Sequence, residues 1–410
     1  MAEILYLCHR IPYPPNKGDK IRAFNWLRAL ADKNTVHLGS FVDDPQDWQH
    51  CDQLAQWCDQ VCLRPLDPWK AKFRSLTGFV RNEALSFAYY RDRQLQTWVD
   101  TLMRERNIDC IFVFCSTMAP YVVRHEAARK VIDFVDVDSD KWAQYAEHSR
   151  WPMRGIYQRE AKTLAAGECQ LARTFDASVF VSAAEADFFR NMAPDCSERV
   201  YGIANGVDAD YFNNHHDDCS PRSREQTGHH VVFTGAMDYG ANVDAVCWFV
   251  DVVWPRVRKA VPDARFTIVG TRPARQVLAL ANHAGVEVTG SVPDVRPYLA
   301  RARLAVAPMR IARGLQNKVL EALAMACPVV ISPQAQAGLE PGADAACDVV
   351  DTPHAFADAV IRRLAAPADD ATRLAARRYV LRYYAWSARF AELDHLLTMP
   401  AAVGVAEPVA

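Results

Sequence analysis

The sequence predicts an α/β protein of two domains, each with a parallel sheet covered by helices. Strand-length apolar runs alternate with segments of helical periodicity, which is typical of parallel sheets covered on both faces. A polar segment at 213–230 interrupts this alternation, which then begins again. The length of 410 residues also exceeds that of one ordinary compact core.

The first domain opens with a strand, a loop, a helix and a second strand. Ile4–Cys8 is apolar and of strand length, and the loop from His9 to Gly18 contains three prolines, which regular elements do not tolerate. Apolar residues then recur at helical spacing from Ile21 to Ala31, with Asp19 as the expected cap. Val36–Phe41 is the next expected strand.

The remaining elements follow the same alternation. In the first domain we expect strands at Ile108–Phe114, Lys130–Val137 and Ser178–Ser182, and helices at Tyr157–Arg173 and Ala183–Asn191. In the second domain we expect strands at Val231–Gly235, Arg265–Gly270, Val286–Gly290, Leu304–Pro308 and Pro328–Ser332, and helices at Val243–Val261, Lys318–Ala326 and Ala371–Leu397. This pattern predicts two Rossmann-like domains in tandem.

Composition and charge exclude several classes of protein. A net charge of −2 provides no basic field for binding nucleic acid. The first apolar run has the length of a strand rather than of a signal peptide, and no run approaches the roughly 20 apolar residues that span a bilayer. The 12 cysteines include no Cys-x-x-Cys pair, so we expect reduced thiols rather than a zinc site. We therefore expect a cytoplasmic protein.

The loop at 309–317 is the strongest candidate for a ligand site. It follows an expected strand, and ligands of open parallel sheets bind beyond the carboxyl ends of the strands. Gly314 permits close approach of the backbone, and Asn317 is the expected N-cap of the next helix. The start of that helix offers amide hydrogens and a positive dipole end to a diphosphate.

Three charged side chains lie in this loop or in the expected helix that follows it. Arg313 and Lys318 add positive charge, and Glu321 lies on the same helix face as Lys318, where it is placed to accept hydrogen bonds from ribose hydroxyls. The alternative is an ordinary exposed ion pair between Lys318 and Glu321, which contributes little. The location of the loop favours a ligand site.

Other motifs point less clearly to a function. No Gly-x-Gly-x-x-Gly follows the first strand and no Gly-x-x-x-x-Gly-Lys-Ser/Thr is present, so dehydrogenase and P-loop functions are not favoured. Asp136 and Asp138, with Asp140, suit magnesium or manganese, but such spacing is common by chance. If both lie on a strand, they share a face at its end, where they also suit substrate hydroxyls. We therefore favour hydrogen bonding over metal binding.

The segment Trp69–Arg81 interleaves aromatic and basic residues. Such a pattern suits an anionic membrane surface. The alternative is a surface helix whose cations extend over core aromatics. The sequence is compatible with both interpretations.

Six stretches follow one another along nearly the whole chain: Pro12–Asp19, Val135–Trp142, Asn205–Asp208, Gly235–Tyr239, Gly290–Asp294 and Lys318–Ala322. In this order they resemble the motifs of the glycosyltransferase family 4 enzymes of GT-B fold. The resemblance is strongest to the exopolysaccharide-associated sugar transferases linked to PEP-CTERM gene clusters.

The resemblance implies an N-terminal acceptor domain, a C-terminal donor domain and a final helix that returns to the first domain, with the two sheets facing across a cleft. We accordingly expect the acceptor domain at 1–205, a linker at 206–230, the donor domain at 231–378, the crossing helix at 379–400 and a disordered tail at 401–410. It also implies retaining transfer from a nucleotide-diphosphate sugar to a glycan or polyprenyl-linked acceptor, with no required metal or other cofactor. Such an enzyme would be cytoplasmic, or peripheral on the inner face of the membrane.

The resemblance also assigns roles to residues. Glu321 matches the ribose-binding glutamate that is second in the family's Glu-x7-Glu motif. The loop with Lys17 and Gly18 would close over the diphosphate, and Gly290–Val292 would lie beside the base. The expected donor-binding residues are Lys17, Gly18, Gly235, Met237, Gly290, Val292, Gly314, Leu315, Gln316, Asn317 and Glu321, and the catalytic candidates are Asp136, Asp138, Arg313 and Lys318.

Two departures from the family pattern keep alternatives open. Arg313 stands where the first glutamate of the motif is expected, and Gly240-Ala241-Asn242 stands where an Arg/Lys pair is common. We hypothesise that Arg313 and Lys318 neutralise the diphosphate through charge-assisted hydrogen bonds. One alternative is a GT-B nucleotide-sugar 2-epimerase that uses His9 and Asp136 and needs no acceptor. The other is a non-catalytic nucleotide-sugar-binding subunit, which the arginine at 313 supports.

Overall fold

The structure is a computed structural model that describes residues 1–15, 18–125, 129–147, 149–213, 228–312, 315–343, 346–366 and 370–398. The chain divides into two compact units. The first comprises Met1–Ala204 and the C-terminal residues from Phe390 onward, and the second comprises Asn205–Arg389. Each unit has its own parallel sheet, which confirms the predicted α/β class.

The first unit is built on a seven-stranded parallel sheet of order β3-β2-β1-β4-β5-β6-β7. Its strands are β1 (Glu3–Cys8), β2 (Thr35–Val42), β3 (Gln60–Pro65), β4 (Cys110–Phe114), β5 (Arg129–Val135), β6 (Ala177–Phe180) and β7 (Val200–Gly202). Its helices are α1 (Gly18–Lys33), α2 (Pro68–Ser75), α3 (Thr77–Arg81), α4 (Leu85–Tyr89), α5 (Arg93–Glu105), α6 (Asp138–Glu147), α7 (Met153–Thr174) and α8 (Ala183–Met192), with 3-10 turns at Pro45–Gln56, Ser116–Tyr121 and Pro194–Arg199. Because the strand order reverses at β1, the carboxyl ends of β1 and β4 mark the place where such sheets bind ligands.

A buried ion pair ties helix α1 to this sheet. Asp133 of β5 is fully buried and accepts hydrogen bonds from Arg22 Nε and Trp26 Nε1, both at 2.7 Å. Its other carboxylate oxygen accepts from the backbone N–H of Val135 at 3.0 Å. Asp133 therefore also holds the end of β5, where Val135 has a φ of 71° and the register with β6 shifts.

The second unit is built on a six-stranded parallel sheet of order β10-β9-β8-β11-β12-β13. Its strands are β8 (His230–Thr234), β9 (Arg265–Val269), β10 (Val286–Gly290), β11 (Leu304–Ala307), β12 (Val329–Ile331) and β13 (Cys347–Val349). Its helices are α9 (Gly240–Trp248), α10 (Trp254–Ala260), α11 (Arg275–Ala279), α12 (Arg296–Arg301), α13 (Asn317–Ala324), α14 (Pro333–Gln336), α15 (Pro353–Ala365) and α16 (Asp370–Tyr383), with a π-turn at Phe249–Val253 and a 3-10 turn at Leu280–Asn282. The last helix, α17 (Trp386–Thr398), begins in this unit and enters the first unit at Phe390.

Two predicted boundaries differ from the structure. Residues 206–213 were expected to be linker, but Val207 and Ala209 are buried in the core of the second unit. The helix expected at 371–397 is interrupted, because the carbonyl of Tyr384 accepts a hydrogen bond from the Val207 N–H at 2.7 Å. The rest of the expected linker from 214 to 227 and the tail from 401 to 410 lie outside the described residues.

The structure corrects two further local predictions in the first unit. Helix α1 begins at Gly18, so Asp19 lies in its first turn rather than at its cap, and its carboxylate accepts from Arg10 Nη1 at 2.5 Å. Strand β5 ends at Val135, two residues before the predicted end. None of the described helices is long and apolar enough to cross a bilayer.

Candidate functional site

Three glycines lie at neighbouring strand ends in the second unit. Gly235 follows β8, Gly270 follows β9 and Gly290 ends β10, as the strand-glycine pattern predicted. A Cβ atom at Gly270 would lie 1.7 Å from the carbonyl oxygen of Gly235, so this approach of two backbones requires glycine. Gly290 has a φ of 70°, which also favours glycine. These turns therefore expose backbone at the edge of the sheet where ligands bind.

The substitution Gly270→Ala is expected to destabilise the protein by about 1–3 kcal/mol, because the new methyl group displaces the Gly235 carbonyl. Urea unfolding measures this change in the free energy of unfolding. Gly240→Ala is the matched control, since a Cβ there meets no atom within 4 Å. Equal stability of the two variants would contradict the close approach of these turns.

Helix α13 begins beside these glycines. Gln316 occupies the N-cap position in extended conformation, so the predicted cap Asn317 is instead the first helical residue. Gln316 Oε1 accepts a hydrogen bond from Lys318 Nζ at 3.1 Å. Lys318 Nζ also lies 5.5 Å from the centroid of the Phe233 ring, and a Cβ at Gly235 would lie 3.5 Å from Lys318 Cε. The lysine amine therefore lies where β8 ends.

Lys318 and Glu321 are both half-buried, and they are not the exposed ion pair of the alternative interpretation. Burial lowers the pKa of Lys318 to about 8 and raises the pKa of Glu321 to about 7, and the charge of each partly opposes the shift of the other. Burial thus disfavours the charged forms, and a ligand that pairs with both groups would relieve this cost. Strongly shifted pairs of this kind are typical of functional sites.

The other predicted donor-binding residues differ from one another in burial and in position. Leu315 and Val292 are partly buried and pack against the core of the second unit. Met237 is fully buried, and its backbone N–H donates to the carbonyl of Thr271 at 2.9 Å and so fixes the Gly235 turn. Gly18, at the start of α1 in the first unit, has open space around its Cα. Lys17, Arg313 and Gly314 lie outside the described residues.

Sequence reasoning did not identify the role of Asn242 in supporting the Gly235 turn. Its side-chain Nδ2 donates to the carbonyl of Ala236 at 3.0 Å, and a Cβ at Gly235 would lie 2.7 Å from it. Its Oδ1 is buried without a hydrogen-bond partner among the described residues. The sequence marked this position only as a departure from the Arg/Lys pair, so nothing in it indicated a buried amide that supports the turn.

Asp136 and Asp138 lie at the carboxyl end of β5 in the first unit. Because the strand stops at Val135, Asp136 is in the loop and Asp138 opens helix α6, so the expectation that they share a strand face is wrong. Lys141 Nζ donates to Asp136 at 2.8 Å and to Asp138 at 3.1 Å. Among the described residues, no group of three or more His, Cys, Asp or Glu side chains is arranged to hold a metal ion.

A cavity of about 460 Å³ lies beside Asp138 in the first unit. His9, after β1, and Thr117, after β4, line it together with Asp138, so it opens at the strand ends where ligands are expected. His9 Nε2 lies 3.6 Å from Asp19, and its ring stacks on Phe114. Sequence reasoning did not identify this cavity.

Comparisons with known proteins agree with this architecture. Residues 228–366 match a protein-family model described as Glycosyl transferases group 1. A search of curated proteins found no match.

Several solved structures share the fold of the whole chain. HepE of Anabaena, in complex with UDP and glucose, is 15% identical; the alignment covers 98% of this chain and 100% of HepE, with a TM-score of 0.63. Sucrose-phosphate synthase of Thermosynechococcus elongatus is 16% identical over 97% of this chain and 98% of its own, with a TM-score of 0.67. An S. aureus TarM variant in complex with fondaparinux, alpha-GlcNAc-glycerol and UDP is 12% identical over 97% and 100%, with a TM-score of 0.64. The fold is therefore GT-B, and with the matched domain it supports a glycosyltransferase.

Proposed function

We propose that this chain is a retaining, family 4-like glycosyltransferase that moves a sugar from a nucleotide-diphosphate sugar to a hydroxyl of a glycan or lipid-linked acceptor in exopolysaccharide biosynthesis. The second unit binds the donor and the first binds the acceptor. The enzyme works in the cytoplasm, at the inner face of the membrane, with Trp69–Arg81 as the surface contact. The HepE and TarM structures contain UDP, which supports a nucleotide-sugar donor.

One observation carries the donor site: Lys318 and Glu321 lie half-buried on the first turns of α13, and Lys318 lies beside the Gly235 turn. In this proposal Glu321 accepts hydrogen bonds from the ribose hydroxyls, and Lys318 pairs with the diphosphate. The half-buried backbone at Gly290, with Val292, lies beside the base in this proposal. Arg313 and Gly314 are proposed to complete the diphosphate site, as are Gln316 and Asn317 through the amides of the helix start.

The same groups would stabilise the transition state of the transfer reaction. Negative charge grows on the diphosphate as the glycosidic bond breaks, and preorganised amides and cations stabilise that charge more in the transition state than in the ground state. A donor phosphate oxygen takes the proton of the acceptor hydroxyl, so no enzymic nucleophile is needed. Asp136 and Asp138 orient acceptor hydroxyls, and Lys141 keeps the two carboxylates together.

Chelation is expected to leave turnover unchanged. Lys141 already supplies the positive charge between Asp136 and Asp138, and Lys318 supplies it at the donor site. The measurement is the rate of nucleoside-diphosphate release before and after treatment with EDTA. A large loss that magnesium restores would contradict the proposal that no metal is required.

Donor affinity is expected to be highest between pH about 7 and about 8. The bound diphosphate raises the pKa of Lys318 from about 8, so affinity falls as the pH rises through that value. The ribose hydroxyls favour the charged form of Glu321, so affinity also falls as the pH drops below about 7. Calorimetry with a nucleotide sugar measures both limbs, because its esterified diphosphate does not titrate in this range. Glu321→Gln is expected to remove the acid limb and to move the alkaline limb to lower pH, because Lys318 loses the neighbouring charge that raises its pKa. A flat profile in the wild type would contradict the pairing.

A transfer assay tests the reaction itself. The full-length protein is incubated with UDP-, GDP-, ADP- or dTDP-glucose and a polyprenyl-linked sugar, and the products are analysed by NMR. We expect acceptor-dependent release of one nucleoside diphosphate and an α-linked product. A β-linked product would contradict retention, and a 2-epimer formed without acceptor would favour an epimerase. Nucleotide binding without turnover would favour a non-catalytic subunit.

A further inference from the structure

Two acidic side chains from neighbouring helices hold the turn between β5 and α6. Glu168 of α7 is fully buried, and both of its carboxylate oxygens accept hydrogen bonds from Ser139. Oε1 accepts from the backbone N–H at 3.3 Å, and Oε2 accepts from the hydroxyl at 2.5 Å. Glu185 of α8 accepts from the backbone N–H of Val137 at 3.0 Å. The N–H groups on either side of Asp138 therefore each have a carboxylate partner.

The turn needs this support because its backbone belongs neither to the strand nor to the body of the helix. Val135 ends β5 with a φ of 71°, a conformation that is costly for a β-branched residue. The carbonyl of Val137 accepts from the N–H groups of Asp140 and Lys141, so the helical hydrogen bonds begin there. The N–H groups of Val137 and Ser139 come before the first helical donors, and side chains of other helices satisfy them.

The charges at the turn favour a neutral Glu168. Burial and, to a lesser extent, the charge of Asp138 raise the pKa of Glu168 to about 8, so its carboxyl group is largely protonated at neutral pH. Burial and the charge of Asp136 also raise the pKa of Glu185. Lys141 is already shared between Asp136 and Asp138. Glu168 therefore supports the turn through hydrogen bonds rather than through its charge, as a glutamine would.

Asp138 is the residue of this turn that lines the cavity of the first unit. Its side chain is 31% exposed, whereas Glu168 is fully buried. Ser139 follows Asp138 directly, so a shift of the Ser139 backbone would move the Asp138 carboxylate. A carboxylate that orients a substrate hydroxyl has to be held within about 0.5 Å of its working position. Glu168 is thus placed to fix Asp138 without contacting a ligand itself.

We infer that Glu168 is a positioning residue of the acceptor site, which holds the backbone of Ser139 so that the carboxylate of Asp138 meets the acceptor hydroxyl. Glu185 does the same at Val137, on the other side of Asp138. This inference rests on the proposed function, in which Asp138 orients acceptor hydroxyls. Because both glutamates act through the turn, their loss affects the binding of the acceptor and leaves the binding of the donor as it is.

Steady-state transfer to the polyprenyl-linked sugar, measured with the full-length protein at saturating donor, tests this inference. Glu168→Ala is expected to raise the acceptor KM by at least about tenfold and to change kcat less, because Asp138 is no longer held where it meets the hydroxyl. The dissociation constant of the donor should not change. Glu185→Ala is expected to act in the same direction. Glu168→Gln should behave as the wild type does, because its amide can accept from the Ser139 N–H and donate to the Ser139 hydroxyl.

Asp176→Ala is the matched control. The carboxylate of Asp176 accepts from the backbone N–H of Lys130 at 2.8 Å, at the opposite end of β5. Its loss also removes a carboxylate that supports the backbone of this strand, but far from the turn. The acceptor KM of Asp176→Ala should therefore equal that of the wild type, even if its melting temperature falls.

A double-mutant cycle tests whether Glu168 acts through Asp138. Asp138→Asn alone is expected to raise the acceptor KM, and adding Glu168→Ala to it should raise the KM much less than the same change does in the wild type. Fully additive effects would show that Glu168 acts independently of Asp138 and would overturn the inference. The inference would also fail if Glu168→Ala lost stability but kept the wild-type acceptor KM, or if Glu168→Gln were as impaired as Glu168→Ala.

Amide hydrogen exchange distinguishes a failure of this inference from a failure of the proposed function. It is measured by mass spectrometry, without substrates, on peptides that cover 136–142. We expect faster exchange there in Glu168→Ala than in the wild type, and wild-type exchange in Glu168→Gln and Asp176→Ala. Equal exchange in Glu168→Ala and the wild type would overturn the inference, whatever the enzyme transfers. The expected exchange pattern in a protein that transfers no sugar would overturn the proposed function and leave Glu168 as the support of the turn.

Discussion

The substitution Glu321→Ala is expected to weaken binding of the donor nucleotide about 10- to 100-fold. A hydrogen bond to a charged group contributes about 1.5–3 kcal/mol, and the alanine variant would leave the ribose hydroxyls without that acceptor. It would also leave Lys318 without the carboxylate that partly opposes the lowering of its pKa. Isothermal titration with UDP, GDP, ADP and dTDP measures the change.

A matched control makes this result specific. Glu340 is an exposed glutamate of the same unit, so Glu340→Ala should leave the dissociation constant unchanged. The melting temperature of both variants without nucleotide shows whether the fold is kept, and a bound nucleotide should raise it in the control but much less in Glu321→Ala. Unchanged affinity in Glu321→Ala would remove this residue from the donor site.

The substitution Asp133→Ala is expected to destabilise the first unit by about 3–5 kcal/mol. Removing one partner of a buried ion pair leaves the other charge buried and uncompensated, which costs far more than the pair itself contributes. Arg22 and Trp26 would both lose the carboxylate that accepts from them at 2.7 Å. The end of β5 would lose its hydrogen bond to Val135 as well. Urea unfolding followed by circular dichroism measures the loss.

An exposed ion pair of the same unit serves as the comparison. Asp195 accepts from Arg173 Nε at 2.5 Å, with about half of each side chain exposed. Pairs of this kind contribute about 0–1 kcal/mol, so Asp195→Ala should change stability little. If the two variants lost equal stability, Asp133 would not be the main link between α1 and the sheet.

Much of the fold could be predicted because apolar runs of strand length indicate where the strands lie. The strand that ends at Thr234 and the one that ends at Val269 are each largely apolar and are followed by a glycine, and the structure has strands and turns there. The short strand Cys347–Val349 was missed, since three residues give no periodicity. The break at Tyr384 was missed because a hydrogen bond from Val207, 177 positions away in the chain, determines it.

The position of the candidate donor site could be predicted from the sequence, but its local geometry could not. Lys318 and Glu321 follow a strand and open a helix, and that order could be inferred from the sequence. The N-cap could not, because the extended backbone of Gln316 decides it and Asn317 is the commoner capping residue. The cavity of the first unit was missed because its walls come from segments far apart in the chain, such as Tyr90 after α4 and Tyr157 of α7. A reading along the chain does not show such neighbours.

The central claim is that the start of α13 and the Gly235 turn hold the donor. Amide hydrogen exchange, measured by mass spectrometry with and without UDP, GDP, ADP and dTDP, tests it most directly. We predict that one of these nucleotides slows exchange in peptides covering 315–324 and 235–242, and that it does not do so in Glu321→Ala. Protection confined to other segments, or no protection by any of the four, would contradict the assignment of the donor site.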